Sequence, residues 1–428
     1  MLEMKPKTYG SYKDSGVEWL GDIPEHWDVK PGFTLFSENK RTNKGMIEEQ
    51  VLSLSYGKII IKPKSKLVGL VPESFETYQI VEQGDIIVRC MDLQNDKTSL
   101  RTGLAKDKGI ITSAYLNLKV VANQSSQYLH YFLHTIDTTK VIYKFGTGLR
   151  QNLSFIDFRR MPMLRVPFDE QIAIAAFLDR KTVQVDQAIT IKEQQIELLK
   201  ERKQTLIQNA VTRGLNPNAP MRDSGVDWIG ETPVHWEVKR AKYLFREIDE
   251  RSASGEEELL SVSHMTGVTP RSEKNVNMFM AEDYTGSKTC QKDDLVFNIM
   301  WAWMGALGVA DRPGIVSPSY GVFRQQKANT FNSFYLEYLL KTIGYIEHYN
   351  KVSTGLHSSR LRFYSHMFFG TELGYPVKDE QDEIVHYIEY ESKKIDKAID
   401  LQKKQIDKLK EYKATLINSA VTGKIKVV

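Results

Sequence analysis

Two long segments of the chain carry a seven-residue repeat of apolar side chains. They begin near Asp169 and Asp379, and each runs for some 40 residues without Gly or Pro, which predicts a helix. Their apolar residues occupy heptad positions a and d in the same register, the pattern of a coiled-coil seam. The seam residues are Leu178, Val185, Ile189, Ile196, Leu199, Leu206 and Ala210 in the first helix, and Ile388, Ile395, Ile399, Ile406, Leu409, Leu416 and Ala420 in the second.

Polar residues interrupt the two seams at matching places. Lys192 and Lys203 of the first helix correspond to Gln402 and Lys413 of the second. Such residues weaken a coiled coil but define its register, and two copies of one unit close most easily about a pseudo-two-fold axis. The seams therefore predict an antiparallel coiled coil. The alternative is that each amphipathic helix packs separately on its own globular domain.

The residues before each long helix follow a different pattern. Short β-rich runs such as GDIIVRC (84–90) and DLVFNIM (294–300) alternate with turns rich in Gly, Asn, Asp and Pro. A helical stretch follows around 128–133 in the first half of the chain and around 334–340 in the second. These patterns predict one compact α/β domain, here called a head, before each long helix.

The whole arrangement is stated twice. DSGVEWLGDIPEHWDVK at 14–30 returns as DSGVDWIGETPVHWEVK at 223–239, with 11 of 17 positions identical. PFDEQIAIAAFLD (167–179) returns as PVKDEQDEIVHYIE (376–389), and LIQNAVTRG (206–214) as LINSAVTGK (416–424). The period near 210 residues is far longer than that of a solenoid, so each unit must be a domain in its own right.

The predicted fold class is α/β, a pseudo-two-fold tandem repeat in which two globular heads are separated by two long helices that form an antiparallel coiled coil. The predicted segments are an N-terminal segment (1–30), the first head (31–165), a central long helix (166–212), a linker that repeats the N-terminal segment (213–239), the second head (240–375) and a C-terminal long helix (376–428).

Composition narrows the class of protein only a little. Hydrophobic residues at 41% and charged residues at 26% describe a globular chain and exclude a disordered one. No apolar run approaches a membrane span, and the first residues lack the apolar stretch of a signal peptide, so a cytoplasmic location is expected. Cys90 and Cys290 are too few for a disulfide framework. A net charge of +4 permits a nucleic-acid partner without requiring one.

Motifs that carry catalysis are missing from the sequence. No HExxH or similar metal-binding spacing occurs among the nine histidines, and neither GxxxxGK[ST] nor GxGxxG is present. An adenine methyltransferase would also need an Asn/Asp-Pro-Pro-aromatic tetrad for the flipped base, and Asn216-Pro217-Asn218-Ala219 is a poor match. The sequence predicts a chain that binds and does not catalyse, with no metal and no cofactor of its own.

The heads offer cationic and hydrogen-bonding side chains on predicted loops, the residue types that contact phosphates and base edges. In the first head these are Lys58, Lys62, Lys64, Lys66, Arg89, Asp92, Gln94, Asn95, Lys97, Arg101, Arg150, Gln151 and Asn152. In the second they are His264, Arg271, Lys274, Trp303, His357, Arg360 and Arg362. For Trp301 and Trp303, a position in the core is favoured over base stacking.

Four tryptophans anchor the repeated phrase, namely Trp19 and Trp27 in the first copy and Trp228 and Trp236 in the second. A phrase kept in both copies should serve what the two units share. That function is either packing of each head on the helices or docking of identical partner subunits. The sequence leaves these two roles open.

The order of these motifs resembles the specificity subunit of type I restriction–modification systems over essentially the whole chain. The segments that carry the resemblance are DSGVEWLGDIPEHW, PFDEQIAIAAFLD and ELLKERKQTLIQNAVTRGL, followed by their second copies. SLRTG with GIITSAY, and NIMWAWMGALGV with GIVSPSYGVFR, are similar to known classes of target recognition domain.

The resemblance implies that each head is a target recognition domain that reads one half of a bipartite, asymmetric DNA sequence. It implies that the helices define a nonspecific gap, and that the chain holds two copies of an adenine-N6 methyltransferase subunit. That partner would bind S-adenosylmethionine, and a restriction and translocase subunit would complete the assembly. The alternative from another class is a two-headed protein scaffold without DNA recognition.

Overall fold

The chain forms two compact units. A computed structural model describes residues 7–63, 65, 74–91, 93, 100–146, 152–274, 283–355, 357 and 360–427. Unit 1 comprises residues 1–193 together with 403–428, and unit 2 comprises residues 194–402. None of the helices in the described part of the chain has the length and hydropathy that crossing a bilayer requires.

Short strands and three helices build the first half of the chain. The strands are β1 (Tyr12–Asp14), β2 (Asp22–Pro24), β3 (Asp28–Pro31), β4 (Phe36–Glu38), β5 (Leu52–Ser55), β6 (Lys58–Ile61), β7 (Gln79–Val81), β8 (Ile86–Val88), β9 (Thr102–Leu104), β10 (Gly109–Ile111), β11 (Leu116–Val120) and β12 (Pro162–Arg165). The helices are α1 (Ser126–Thr138), α2 (Phe155–Phe158) and α3 (Phe168–Arg213).

The second half repeats this order with one additional helix after α4. The strands are β13 (Met221–Asp223), β14 (Glu231–Pro233), β15 (Glu237–Arg240), β16 (Phe245–Glu247), β17 (Leu260–Ser263), β18 (Gly267–Pro270), β19 (Lys288–Cys290), β20 (Leu295–Phe297), β21 (Leu307–Val309), β22 (Gly314–Val316), β23 (Gly321–Gln325) and β24 (Glu372–Tyr375). The helices are α4 (Ser333–Leu340), α5 (Ile343–Val352), α6 (Ser365–Gly370) and α7 (Lys378–Val421).

The sheets of the two heads have the same topology. Unit 1 contains an antiparallel sheet in the order β4-β11-β8-β9, and unit 2 contains one in the order β16-β23-β20-β21. Two-stranded ribbons surround each sheet, and β5–β6 of unit 1 corresponds to β17–β18 of unit 2. Matching topology from divergent head sequences confirms the predicted tandem repeat of two α/β heads.

Each head packs on two helical segments, one from each long helix. In unit 1 the core joins Ile174 and Leu178 of α3 to Ile417 and Val421 of α7. The Lys413 ammonium of α7 also lies 2.7 Å from the Asp186 carboxylate of α3. Higher numbers along α3 meet lower numbers along α7, so the two segments run antiparallel.

Unit 2 contains the equivalent helical pair. Its core joins Val211 of α3 to Ile384 and Ile388 of α7. Lys203 of α3 lies 2.8 Å from Asp396 of α7, an ion pair at the repeat-equivalent positions of Lys413 and Asp186. The predicted pairing of the long helices is confirmed within each unit, and the alternative of separate helices is wrong.

Burial along the seam follows the predicted heptads. Apolar side chains off the seam face solvent, as with Ile191 and Leu198 of α3, which are 52% and 64% exposed. Buried seam residues are Leu178, Val185, Ile196, Ala210, Ile388, Ile395, Ile399, Ile406 and Ala420. Half-buried seam residues are Ile189, Leu199, Leu206, Leu409 and Leu416.

Candidate nucleic-acid interface

A glutamate in the first turn of α3 collects the donors of the repeated phrase. The Trp27 indole donates to Glu170 Oε2 at 3.1 Å, and the Tyr9 hydroxyl donates to the same oxygen at 3.0 Å. His26 Nε2 lies 2.6 Å from Glu170 Oε1. A carboxylate is also favoured there because the amino end of a helix carries a partial positive charge.

Unit 2 repeats the contact through Glu380 of α7. The Trp236 indole donates to Glu380 Oε1 at 3.1 Å, and His235 Nε2 lies 2.9 Å from Glu380 Oε2. Each glutamate with its His-Trp pair is called a glutamate socket below. The phrase recurs because each copy fastens its own unit to the start of a long helix.

This geometry bears on the open choice between packing and docking for two of the four tryptophans. Trp27 is fully buried and Trp236 is 2% exposed, so neither has an indole face left for another chain. Trp19 and Trp228 are half-buried. Trp228 stacks on His348 with ring centroids 3.6 Å apart, and its indole donates to the carbonyl of Glu372. Packing inside the unit is therefore the role that the structure supports for the phrase.

The glutamine that follows each socket glutamate holds the head helix. The Gln171 side-chain oxygen accepts from the backbone N–H of Ser125, the residue that caps α1, at 2.8 Å. Gln381 accepts in the same way from the backbone N–H of Asn332, the cap of α4, at 2.9 Å. Both glutamines are fully buried, so each Glu-Gln dipeptide aligns a head with its helix.

A buried tyrosine attaches each head to the far end of the other repeat's helix. The Tyr128 hydroxyl of α1 donates to the Val421 carbonyl at 2.9 Å, and the Tyr335 hydroxyl of α4 donates to the Val211 carbonyl at 3.1 Å. Burial raises the pKa of both tyrosines well above the usual value, which keeps the hydroxyls protonated and donating. The glutamate, glutamine and tyrosine contacts thus recur at equivalent positions in both units.

Four predicted contact residues of the first head are described as surface or partly exposed side chains. Lys58 and Asn152 are exposed, whereas Lys62 and Arg89 are half-buried. Eight others lie outside the described residues, namely Lys64, Lys66, Asp92, Gln94, Asn95, Lys97, Arg150 and Gln151.

Arg101 was expected at the surface, and its position requires a correction. Its side chain is fully buried, and its Nη1 donates to the carbonyls of Arg89 and Met91 at 3.2 and 2.8 Å. The guanidinium also lies over the Tyr143 ring at 5.7 Å, and the Arg101 backbone N–H donates to the buried Asp137 carboxylate at 2.7 Å. Arg101 therefore organises the interior of the head and cannot contact a base in this conformation.

Predicted contacts of the second head fall into two loop clusters. His264, Arg271 and Lys274 belong to the β17–β18 ribbon or its exit, where the Lys274 ammonium donates to Ser261 Oγ and burial lowers its pKa. Trp303, His357, Arg360 and Arg362 share the second cluster, because the Phe363 N–H donates to the Ile299 carbonyl at 2.9 Å. His264, His357 and Arg360 are exposed, and Arg271, Lys274, Trp303 and Arg362 are half-buried.

The indole pair of this cluster differs from the expected core position. Trp301 is 48% exposed and stacks on Trp303 with ring centroids 5.9 Å apart. The Trp303 indole N–H donates to the Met300 carbonyl at 2.9 Å. Trp301 is therefore exposed and Trp303 half-buried, and neither belongs to the core.

A cavity of about 590 Å³ lies within unit 1 between the β5–β6 ribbon, α1 and the helical pair. His130 and His134 of α1 line it, and burial lowers the pKa of each to about 4, so both are neutral at pH 7. Among the described residues, no three His, Cys, Asp or Glu side chains are grouped to hold a metal ion.

Known proteins give this geometry a context. No protein-family model matches the chain. The specificity subunit of the type I restriction enzyme MjaVIII from Methanocaldococcus jannaschii is 24% identical over 95% of this chain and 94% of its own length. This chain is therefore similar to a type I specificity subunit over nearly its whole length.

Solved structures agree at the level of the fold. The HsdS subunit from Thermoanaerobacter tengcongensis is 13% identical, with a TM-score of 0.53 over 97% of this chain and all of that one. A chain from work on complex assembly and conformational transition of the type I R-M system is 14% identical, with a TM-score of 0.64 over 93% of this chain and 98% of that one. The names of these similar proteins agree with the prediction of a type I specificity subunit.

Sequence reasoning missed the sockets and the tips of the two ribbons. Glu170 and Glu380 stood within motifs that were recognised as repeated, yet their hydrogen-bond donors lie more than 140 residues away. The signal that could have found them was the strict recurrence of His-Trp together with Glu-Gln. Exposed apolar residues at the ribbon tips gave no periodic signal.

Proposed function

We propose that the chain reads a bipartite, asymmetric DNA target for a type I restriction–modification system, with one half of the target assigned to each head. One observation supports this most directly. The glutamate, glutamine and tyrosine contacts recur at equivalent positions of the two units, whereas the loops on their heads carry different side chains. A common frame with different reading loops suits two different half-sites that a single enzyme assembly must recognise together.

The proposed DNA-contacting surface consists of the described loop residues other than Arg101. Cations such as Lys58 and Arg271 would contact phosphates, which give affinity without sequence information. Asn152, Arg360 and Arg362 have the donors and acceptors that discriminate base edges. The remaining members of the surface are Lys62, Arg89, His264, Lys274, Trp303 and His357.

Partner subunits are proposed to dock on surfaces that both units share, and two copies of an adenine-N6 methyltransferase subunit would match the two units. Phe168, in the first turn of α3, and Val377, which immediately precedes α7, are 43% and 72% exposed. An exposed apolar residue near the start of each long helix favours identical partners. A restriction and translocase subunit would join this assembly in the prokaryotic cytoplasm, where the DNA lies.

The docking proposal has a test in stoichiometry. Phe168→Ser and Val377→Ser should each reduce the bound methyltransferase copies from two to one in native mass spectrometry, and the double variant should bind none. Leu198→Ser is the matched control, because Leu198 is 64% exposed on α3 and lacks an apolar counterpart at the equivalent Lys408. Loss of both copies from either single variant would contradict two independent docking sites.

The DNA-reading proposal is tested by selection from random duplexes with the full chain and its methyltransferase partner. Wild-type protein should enrich two fixed blocks separated by a gap of constant length, and affinity should fall steeply as salt rises. Arg360→Ala should relax the preference in one block only, Asn152→Ala in the other, and each loss should be about 1–3 kcal/mol.

Arg202→Ala, an exposed arginine on α3, is the control and should leave both blocks unchanged. Binding that is insensitive to salt and enriches no sequence would instead fit a protein scaffold. A variant in one head that altered both blocks would contradict the assignment of one half to each head.

The helices are proposed to define the gap between the two half-sites. Insertion of one heptad after Gln195 in α3 and another after the equivalent Gln405 in α7 preserves the seam and adds about 10 Å of helix. The selected blocks should remain the same while the gap changes by up to about three base pairs. Altered blocks with an unchanged gap would refute a spacing role for the helices.

A further inference from the structure

Equivalent ribbons in the two heads each expose an apolar residue at the tip. In the first head the tip of the β5–β6 ribbon follows LSLS (52–55), and in the second the tip of the β17–β18 ribbon follows LSVS (260–263). Tyr56 at the first tip is 79% exposed and Met265 at the second is 81% exposed. Within the described part of the chain these are the two most exposed large apolar side chains. Such exposure at the same place in both heads indicates a binding role.

The turn that carries Tyr56 is unfavourable for a tyrosine. Ser55 pairs with Lys58, so Tyr56 and Gly57 form a two-residue turn, and both have positive φ, at 45° and 77°. This is the pattern of a type I′ turn, in which Asn-Gly is preferred and a bulky first residue is strained. Gly57 is required because a Cβ there would lie 2.9 Å from Leu100 Cβ. A residue that tolerates positive φ, such as asparagine, would therefore stabilise this turn more than Tyr56 does.

The second tip is held by its own polar contacts. Ser263 Oγ accepts from the Thr266 N–H at 3.2 Å and lies 2.9 Å from Thr266 Oγ1, which closes the turn around Met265. Gly267 completes it with a φ of 66°. Met265 thus projects from an ordered turn, and its unbranched thioether can adapt to an irregular surface.

The chemistry around the tips favours duplex DNA as the occupant. Lys58 and Lys62 follow Tyr56 on β6 and its exit, while His264 precedes Met265 and Arg271 follows β18. An apolar tip flanked by cations suits insertion between base pairs, because the cations contact phosphates while the tip replaces part of the stacking. The two tips carry different side chains, which suits two different half-sites better than one partner common to both units.

We propose that Tyr56 and Met265 are wedges, each of which enters its half-site and unstacks one base step. This proposal rests on the proposed DNA-reading function. Hydrogen bonds to base edges would read the sequence of each half-site. The wedge would add a second kind of contact, one that distorts the duplex there. Different wedges in the two heads would also favour different deformable steps, such as pyrimidine–purine steps.

The test uses the full chain with its methyltransferase partner and the duplex that wild-type protein selects from a random library. 2-Aminopurine is placed at each position of the duplex in turn. Wild-type protein should raise its fluorescence at one step in each block. Tyr56→Asn should abolish the rise in one block only, and Met265→Gln should abolish it in the other. Each variant should bind about tenfold more weakly, the scale of one lost stacking contact.

Tyr56→Asn separates folding from binding, because asparagine suits the turn better than tyrosine does. Its Tm should be equal to or higher than that of the wild type while its DNA affinity is lower. Leu198→Gln, on the exposed face of α3, is the control and should change neither quantity. A lower Tm for Tyr56→Asn would make the tyrosine a structural residue and overturn the proposal.

Other outcomes are equally decisive. Wild-type binding without any fluorescence rise would make the tips surface contacts rather than wedges. Unchanged affinity and fluorescence in both variants, or weakened binding of the methyltransferase subunit instead of DNA, would also overturn the wedges while leaving the DNA-reading function intact. Failure of the wild type to select any sequence would refute the proposed function itself.

Discussion

Replacement of Glu170 by alanine should destabilise unit 1 around the repeated phrase. The Glu170 carboxylate is 20% exposed and accepts from the buried Trp27 indole and from Tyr9, in addition to its contact with His26. The usual penalty for a buried donor without an acceptor is about 1–3 kcal/mol. Two such donors give an expected loss of about 2–6 kcal/mol in the free energy of unfolding of unit 1.

The equivalent substitution in unit 2, Glu380→Ala, provides a comparison for the size of this loss. Glu380 accepts from one buried donor, Trp236, and contacts His235, which is about half exposed. Glu380→Ala should therefore cost about 1–3 kcal/mol, less than Glu170→Ala. Glu170→Gln retains one acceptor oxygen and should cost about 1–2 kcal/mol, the difference between a charge-assisted and a neutral hydrogen bond.

Hydrogen exchange measured by mass spectrometry assigns the effect to a unit, and urea titration gives its size. Glu170→Ala should speed exchange across residues 9–27 and leave 223–236 protected, whereas Glu380→Ala should do the reverse. A loss below about 0.5 kcal/mol, the level of an ordinary surface substitution, would refute a supporting role for the socket. Equally faster exchange in both copies of the phrase would refute the expectation that each socket stabilises only its own unit.

Three further expectations follow from buried groups of unit 1. Tyr128→Phe removes the donor to the Val421 carbonyl and should lower the free energy of unfolding by about 1–2 kcal/mol, as measured by urea titration. Arg101→Met should lower the Tm of the chain rather than change the selected DNA sequence alone, because the guanidinium is fully buried. Burial lowers the pKa of His130 and His134 to about 4, so the unfolded chain, with pKa near 6.5, binds these protons first as pH falls. Stability should therefore decline from about pH 6.5 to about pH 4, and the double His→Gln variant should flatten that slope in urea titrations.

The periodic and repeated features of the sequence were sufficient to predict the two long helices and the two heads. The heptads of α3 and α7 predicted two long helices and their seam, because helical periodicity is a local property that the order of apolar residues records directly. The interruptions at Lys203 and Lys413 predicted pairing, and the structure places an aspartate against each of them within its own unit. Recurrence of the same motifs predicted two heads of one topology.

The positions of polar side chains could not be obtained in the same way. Arg101 stands in a segment with the composition of a reading loop, yet its guanidinium is enclosed by carbonyls of its own head. Tyr56 and Met265 are apolar residues that composition would assign to a core, yet they project from turns. Burial at such places depends on which distant segment covers a loop, and no pattern within the loop encodes that.

The tryptophans of the repeated phrase show what the sequence could predict and what required the tertiary structure. The sequence by itself determined that the phrase serves something common to both units, since chance does not preserve Gly, Pro, His and Trp in register at a distance of 209 residues. Only the tertiary structure showed what two of these tryptophans contact, by bringing Glu170 to Trp27 and Glu380 to Trp236. The physical reason is that periodicity arises from neighbours along the chain, whereas a buried donor is satisfied by whichever acceptor folding brings within about 3 Å.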